Sequence, residues 1–262
     1  VACYGLTREL LQKDVEVIFV LPKSQQTCGD ARFLFADQER LAKIIHTNIS
    51  IMPYCQADSR VEAILGYDKN GQAIIVSRTV IEEVHRFARQ AAIIAKDEEF
   101  DIIHAHDWTS YLAGMAAKIV TGKPLILHVH ATSFDQAASN NVDPTIFEIE
   151  KEAFEYADKV ITVSEFTKNI VVQKHGISPD KVEVVHNGCD AESVKPLMPA
   201  LSELKAQGKK IVLYHGRISI QKGVDHFINA ARLVVDNEPN VVFVISGSGD
   251  MQTQIIEQVG RL

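Results

Sequence analysis

The 262-residue sequence is short of several things, and each shortage removes a class of function. It has no apolar run near the roughly 20 residues that a membrane-crossing helix requires, and its opening residues lack a basic stretch followed by an apolar core. The expectation is a cytoplasmic protein with no membrane span and no signal peptide. Its four cysteines, Cys3, Cys28, Cys55 and Cys189, lie far apart without a Cys-x-x-Cys pair, so neither a zinc ribbon nor a disulfide framework is offered. Basic residues are outnumbered: 27 Lys and Arg stand against 34 Asp and Glu, a formal charge of -7, which argues against nucleic acid as a partner. Any phosphate site has to be local. No Asp-x-Asp occurs, so the carboxylate pair that would hold a metal-bound diphosphate is not offered, and such a group would be neutralised by cations of the protein.

What is present is 46% hydrophobic residues against 23% charged, enough for one large or two small cores. Apolar β-branched runs alternate with helical patterns, the signature of β-α-β units and a parallel sheet. Strands are expected at 15–21, 49–54, 101–105, 124–130, 159–163 and 182–185. A polar, proline-bearing stretch over 190–210 follows, and the pattern restarts with strands at 211–215 and 241–246. This places a domain boundary near 190, with residues 1–190 forming one Rossmann-like α/β domain and 191–262 opening a second. The region 56–77, with Asn70-Gly71, reads as a hairpin. A doubly wound domain normally begins with a strand and its phosphate-facing turn, whereas this chain opens in a helical pattern and closes in another, so a piece of a longer protein is expected.

Two segments share one layout: Ile102-Ile103-His104-Ala105-His106-Asp107-Trp108 and Ile126-Leu127-His128-Val129-His130. Each carries a strand into a His-x-His at its C-terminal end, where open α/β sheets place their ligands. Alternation puts His104 with His106, and His128 with His130, on one face of their strands. One member of each pair can lie near the mouth, making His106, Asp107 and His130 site candidates, while His104 and His128 also fit as packed, hydrogen-bonded positions. Imidazoles at spacing two admit zinc as well, but no carboxylate-rich or further histidine motif completes a site, so no metal is expected. The turn Tyr214-His215-Gly216-Arg217-Ile218-Ser219-Ile220-Gln221-Lys222-Gly223 joins a strand to a helix near Val224, combining two glycines and two cations in a way that suits a diphosphate. Ser246-Gly247-Ser248-Gly249-Asp250 is a second, weaker glycine-rich turn. Ser164 reads as a helix cap, and Glu148, Glu152 and Glu155 as a solvated helix face.

In order and spacing these motifs, with Ala157-Asp158-Lys159-Val160-Ile161-Thr162-Val163-Ser164 and His186-Asn187-Gly188-Cys189-Asp190, resemble the family 4 glycosyltransferases and, further off, bacterial glycogen and starch synthases. The resemblance covers essentially the whole chain. It implies a GT-B fold and retaining transfer of a hexose, glucose foremost, from a nucleotide sugar such as UDP-glucose or ADP-glucose to an acceptor hydroxyl on an α-glucan or other glycoconjugate. It further implies that His130 stands beside the transferred sugar and Asp107 lines the same cleft. Arg217 and Lys222 would bind the donor diphosphate, with His106, Gly216, Gly247 and Gly249 near the donor and Asn187 and Gly188 at an interdomain hinge. The Gly-His that the family usually carries before its second strand is Asp14-Val15 here, and the family's Gly-rich turn and Glu-x7-Glu segment are not in the sequence. A non-catalytic sugar- or nucleotide-binding module and a zinc hydrolase using the histidine pairs are the alternatives.

Overall fold

A computed structural model describes residues 2–22, 42–49, 51, 58–67, 73–136, 142–188 and 198–261. It divides into two compact units, Val1–Cys189 and Asp190–Leu262.

The first unit opens with helix α1 (Ala2–Leu11) and strand β1 (Val17–Leu21). Between them Asp14 takes φ 59°, the left-handed turn conformation that Asp tolerates better than most residues. Strand β2 (Ala42–His46) pairs with β1 in parallel, Val17 opposite Ala42 and Leu21 opposite His46. This corrects the strand expected at 49–54, of which 50 and 52–54 lie outside the described residues. Ile49 and Ile51 are apolar for another reason: beyond Thr47 the chain leaves the ladder, and Ile49 is buried against Phe87, Ala91 and Ala113. Strands β3 (Arg60–Tyr67) and β4 (Ala73–Thr79) form the expected antiparallel hairpin, whose Asn70-Gly71 turn lies outside the described residues, as do Cys28, Cys55 and Cys189.

Helix α2 (Val80–Asp97) begins at a reciprocal capping box: Glu82 N–H donates to Thr79 Oγ1 at 3.4 Å and Thr79 N–H to Glu82 Oε2 at 2.8 Å. Then β5 (Ile103–His106), β6 (Leu125–Val129), β7 (Lys159–Thr162) and β8 (Val182–Val184) pair side by side, all parallel. Helix α3 (Trp108–Thr121) connects β5 to β6; α4 (Ser133–Gln136) and α5 (Pro144–Tyr156) lead to β7; α6 (Glu165–His175), capped by Ser164, leads to β8. The main core lies on one face of this sheet, where Ala105, Leu125, Leu127, Val129 and Val160 meet Trp108, Tyr111, Ile146, Ala153 and Phe154. Glu148, Glu152 and Glu155 point to solvent. No described helix is long and apolar enough to cross a membrane.

The second unit holds α7 (Pro199–Ala206), β9 (Lys210–His215), α8 (Val224–Val235), β10 (Val241–Ser246) and α9 (Gln252–Gly260). Strands β9 and β10 pair in parallel, Lys210 opposite Val241, and a small core of Ile218, Val224, Ile228 and Ile255 packs beside them.

The capping box closes two otherwise unpaired N–H groups at the start of the helix that covers both apolar clusters. Thr79→Ala should therefore lower the unfolding free energy by about 1 kcal/mol, read from urea denaturation, and a neutral result would show that the hairpin alone holds this helix start.

Candidate active site

The histidines of the first unit form one cluster. Strand pairing sets His106 directly opposite His128, and the rings of His104, His106, His128 and His130 stack on the face of β5 and β6 opposite Ala105 and Leu127. Neighbouring ring centroids are 4.5 Å apart along each strand, His104 to His106 and His128 to His130, and 5.0 Å across from His106 to His128. His106 Nδ1 lies 3.1 Å from His130 Nε2, a hydrogen bond whose direction depends on the tautomers. Burial among like-charged neighbours holds the His106 imidazole down at about 3 and that of His128 at about 4, so both are neutral near pH 7. All four rings share one face; His104 is exposed where a packed position was also expected, and His128 is buried, though among the described residues neither of its nitrogens finds a hydrogen-bond partner.

Asp107 ends β5 with φ 57°, a backbone conformation in which most side chains are strained. Its own N–H donates to His128 O at 3.0 Å, and its Oδ1 accepts the N–H of His130 at 2.8 Å and of Ala131 at 3.4 Å. The carboxylate thus fixes the main chain carrying His130. Burial pushes the Asp107 carboxyl up, against the opposing pull of His130 and the two amide donors.

The segment after His130 is held by a residue that the sequence reading passed over. Glu150 is almost fully buried and accepts from Ser133 N–H at 2.8 Å and Ser133 Oγ at 2.6 Å, while His175 Nε2 stands 3.0 Å away. Rings of Phe134, Phe147 and Phe154 surround His175. The signal was available: Ile146, Glu150, Ala153 and Phe154 make one helical stripe, and a carboxylate in an apolar stripe needs polar partners.

In the second unit the two glycine-rich turns lie against each other. Gly216 N–H donates to Ser246 O and Ile218 N–H to Ser248 O, and a Cβ on Gly247 would strike the Gly216 carbonyl oxygen while one on Gly249 would strike that of Ile218. The two turns line an open recess with His215, Gly216, Arg217, Gly247, Ser248 and Gly249. Arg217 stands at its rim, 45% exposed, with Nε 3.8 Å from Asp250 Oδ1. Lys222 is exposed at the end of a short 3-10 turn, Ile220–Lys222, and is not one of the residues lining the recess. The amides of Gly216 and Ile218 are thus bonded across the turns and not free for a ligand. His215 and Ser248 join the recess, unassigned by the sequence reading.

Comparison with known proteins decides the family. The profile of Glycosyltransferase Family 4 matches residues 1–193, and that of Glycosyl transferases group 1 matches 201–262. The chain belongs to glycosyltransferase family 4. Similar curated members include an alpha-maltose-1-phosphate synthase of Mycolicibacterium smegmatis, 31% identical over 62% of this chain and 44% of that protein, and an uncharacterised glycosyltransferase of Methanocaldococcus jannaschii, 27% identical over 59% and 42%. The chain thus spans less than half the length of these relatives. Among solved structures, Anabaena HepE in complex with UDP and glucose aligns with a TM-score of 0.57 at 17% identity, covering 94% of this chain and 66% of that one. The UDP-forming trehalose-phosphate synthase of Burkholderia vietnamiensis aligns at 0.55 and 15%, covering 94% and 69%. The fold is therefore of GT-B type, with α/β units built on parallel strands, as expected.

On this family 4 framework, the structure brings His106, Asp107 and His130 together at the C-terminal ends of β5 and β6, and Gly216, Arg217, Gly247 and Gly249 around one recess. Asn187 and Gly188 are exposed just beyond β8.

Two outcomes follow from the buried polar groups of the first unit. The folded chain keeps His106 and His128 below the ordinary 6.5, so the unfolded chain binds more protons in acid; stability is retained above about 6.5 and lost as pH falls from there toward about 3. Urea midpoints in chelator-containing buffer should drop across that window, and His128→Leu should flatten the drop; an unchanged slope would show that other groups set it. Glu150→Ala strands Ser133 and His175 in the core and should cost about 3 kcal/mol or more, with Glu150→Gln milder by urea unfolding.

Proposed function

We propose that this protein contributes to retaining transfer of a hexose, glucose as the leading candidate, from a nucleotide sugar to an acceptor hydroxyl on an α-glucan or other glycoconjugate. The observation that carries the reading is the recess of the second unit: a guanidinium at the rim of two glycine turns whose backbones approach too closely for any side chain. Such a place suits a diphosphate, because Arg217 offers a planar fork to two phosphate oxygens and glycine lets the ligand approach the main chain. The UDP and glucose of the HepE complex, and the UDP-forming reaction named for the trehalose-phosphate synthase, favour a uridine donor; the maltose-1-phosphate synthase favours a glucan-type product. ADP-glucose is the second donor to test.

In this reading Arg217 and Lys222 offset charge growing on the departing diphosphate, and His130, set by Asp107 and its contact with His106, hydrogen-bonds the sugar as its anomeric carbon becomes cationic. Transfer needs no metal, since cations of the protein take the place of an Asp-x-Asp-bound ion.

The test measures release of UDP or ADP, and nucleotide affinity, for Arg217→Ala, Arg217→Lys and Lys222→Ala in the active enzyme, with and without EDTA. Loss of one preorganised group should lower turnover on the order of a hundred- to a thousandfold, about 2.7 to 4 kcal/mol. Arg217→Lys should also lose activity, because it keeps the charge but not the fork. Near-wild-type turnover in both alanine variants, or a collapse in EDTA that magnesium or manganese restores, would remove this reading.

A further inference from the structure

The histidine cluster holds more polar capacity than the proposed transfer uses. Glucosyl transfer calls on His130 and, through it, on His106, and leaves His104 and His128 without a task. Yet His128 is buried, with a relative exposure of 7%, and among the described residues neither ring nitrogen has a hydrogen-bond partner. A buried polar ring with both nitrogens unmatched carries a desolvation cost that needs an explanation. Its neighbours supply one: one ring nitrogen from each of His104, His106 and His128 lies within 4.8 Å of the other two.

We infer that His104, His106 and His128 form a three-imidazole site for a transition-metal dication, Zn2+ foremost, with its remaining position open on the exposed His104 side.

Ligands on a tetrahedral zinc at about 2.0–2.1 Å stand roughly 3.4 Å apart, so three nitrogens within 4.8 Å of one another must draw closer, and the stacked rings must turn to aim their lone pairs at one ion. The parallel pairing of His106 with His128 fixes two of the ligands across the sheet, and His104 follows two residues along β5. Three nitrogens and no carboxylate make a donor set for Zn2+, Ni2+ or Cu2+ and a poor one for Mg2+ or Ca2+. Exposure of His104 gives the ion a way in from solvent.

Metal binding would reach the proposed transfer site. His106 shares a 3.1 Å contact with His130, so a dication held by His106 would stand beside the ring proposed to face the sugar. The ion is thus a brake and not a cofactor; this consequence rests on the proposed role of His130, whereas binding itself does not.

The experiment uses the purified 262-residue chain, stripped with chelator. Calorimetric titration with Zn2+ should show one equivalent bound, and Co2+ should give the visible absorption of a four-coordinate nitrogen site. His104→Ala, an exposed strand position, should keep the circular dichroism of the parent and lose at least tenfold in Zn2+ affinity, while Cys3→Ser should bind like the parent. Unchanged affinity in His104→Ala would overturn the site. So would a strong near-ultraviolet thiolate band in the cobalt protein that Cys3→Ser abolishes, since that would assign the ion to Cys3, His106 and His130, a second set of comparable spacing. In the active enzyme, Zn2+ should inhibit transfer reversibly and His104→Ala should escape inhibition; full activity with Zn2+ bound would overturn the brake while leaving the transfer reading intact.

Discussion

The parallel pairing of β5 with β6 is the constraint on which the first unit's site depends. Its register sets His106 opposite His128, and the ladder is continued one step by Asp107 N–H donating to His128 O. Because side chains alternate along a strand, that single register sends Ala105, Leu127 and Val129 into the core and stacks all four imidazoles on the other face. A shift of one residue would exchange the two sets, placing imidazoles in the hydrophobic core. Apolar burial on one side therefore holds the polar cluster on the other.

From this pairing the chain builds outward by polar contacts. Asp107 accepts a left-handed backbone and uses its carboxylate on the amides of His130 and Ala131; Glu150 then anchors Ser133, and His175 closes the arrangement among three phenylalanine rings. Each of these groups is tied to the loop that follows β6, so a substitution as distant in sequence as His175 can displace His130. Tyr111, whose buried hydroxyl has no hydrogen-bond partner among the described residues, has its ionisation raised well above the ordinary range by burial first and then by the charges of Asp107 and Glu150.

The second unit reaches its site by a different route: close approach of two backbones. Gly247, at φ 155°, and Gly249 leave no room for a Cβ beside the carbonyls of Gly216 and Ile218, and the crossing N–H bonds bind the turns into one wall. The same contact removes two amide donors from any ligand and leaves charge at the rim to Arg217. Lys222, exposed at the end of a short 3-10 turn further on, does not line the recess.

Local pattern alone determined the alternation of strand and helix, the two His-x-His ends, the Ser164 cap and the restart of the α/β pattern after 190, because periodicity, caps and turn residues act within a few positions of one another. It misplaced β2: the isoleucines near 44 and near 49 are equally apolar, and only pairing with β1 selects the first while burial against α2 and α3 takes the second. Nor does local pattern show that strand register brings one ring nitrogen each of His104, His106 and His128 within 4.8 Å of one another. Glu150 was visible as an acid in an apolar stripe, but its partners lie 17 and 25 residues away. Which polar groups meet is decided by strand register and by packing of distant segments, and those long-range contacts leave no periodic trace in the sequence.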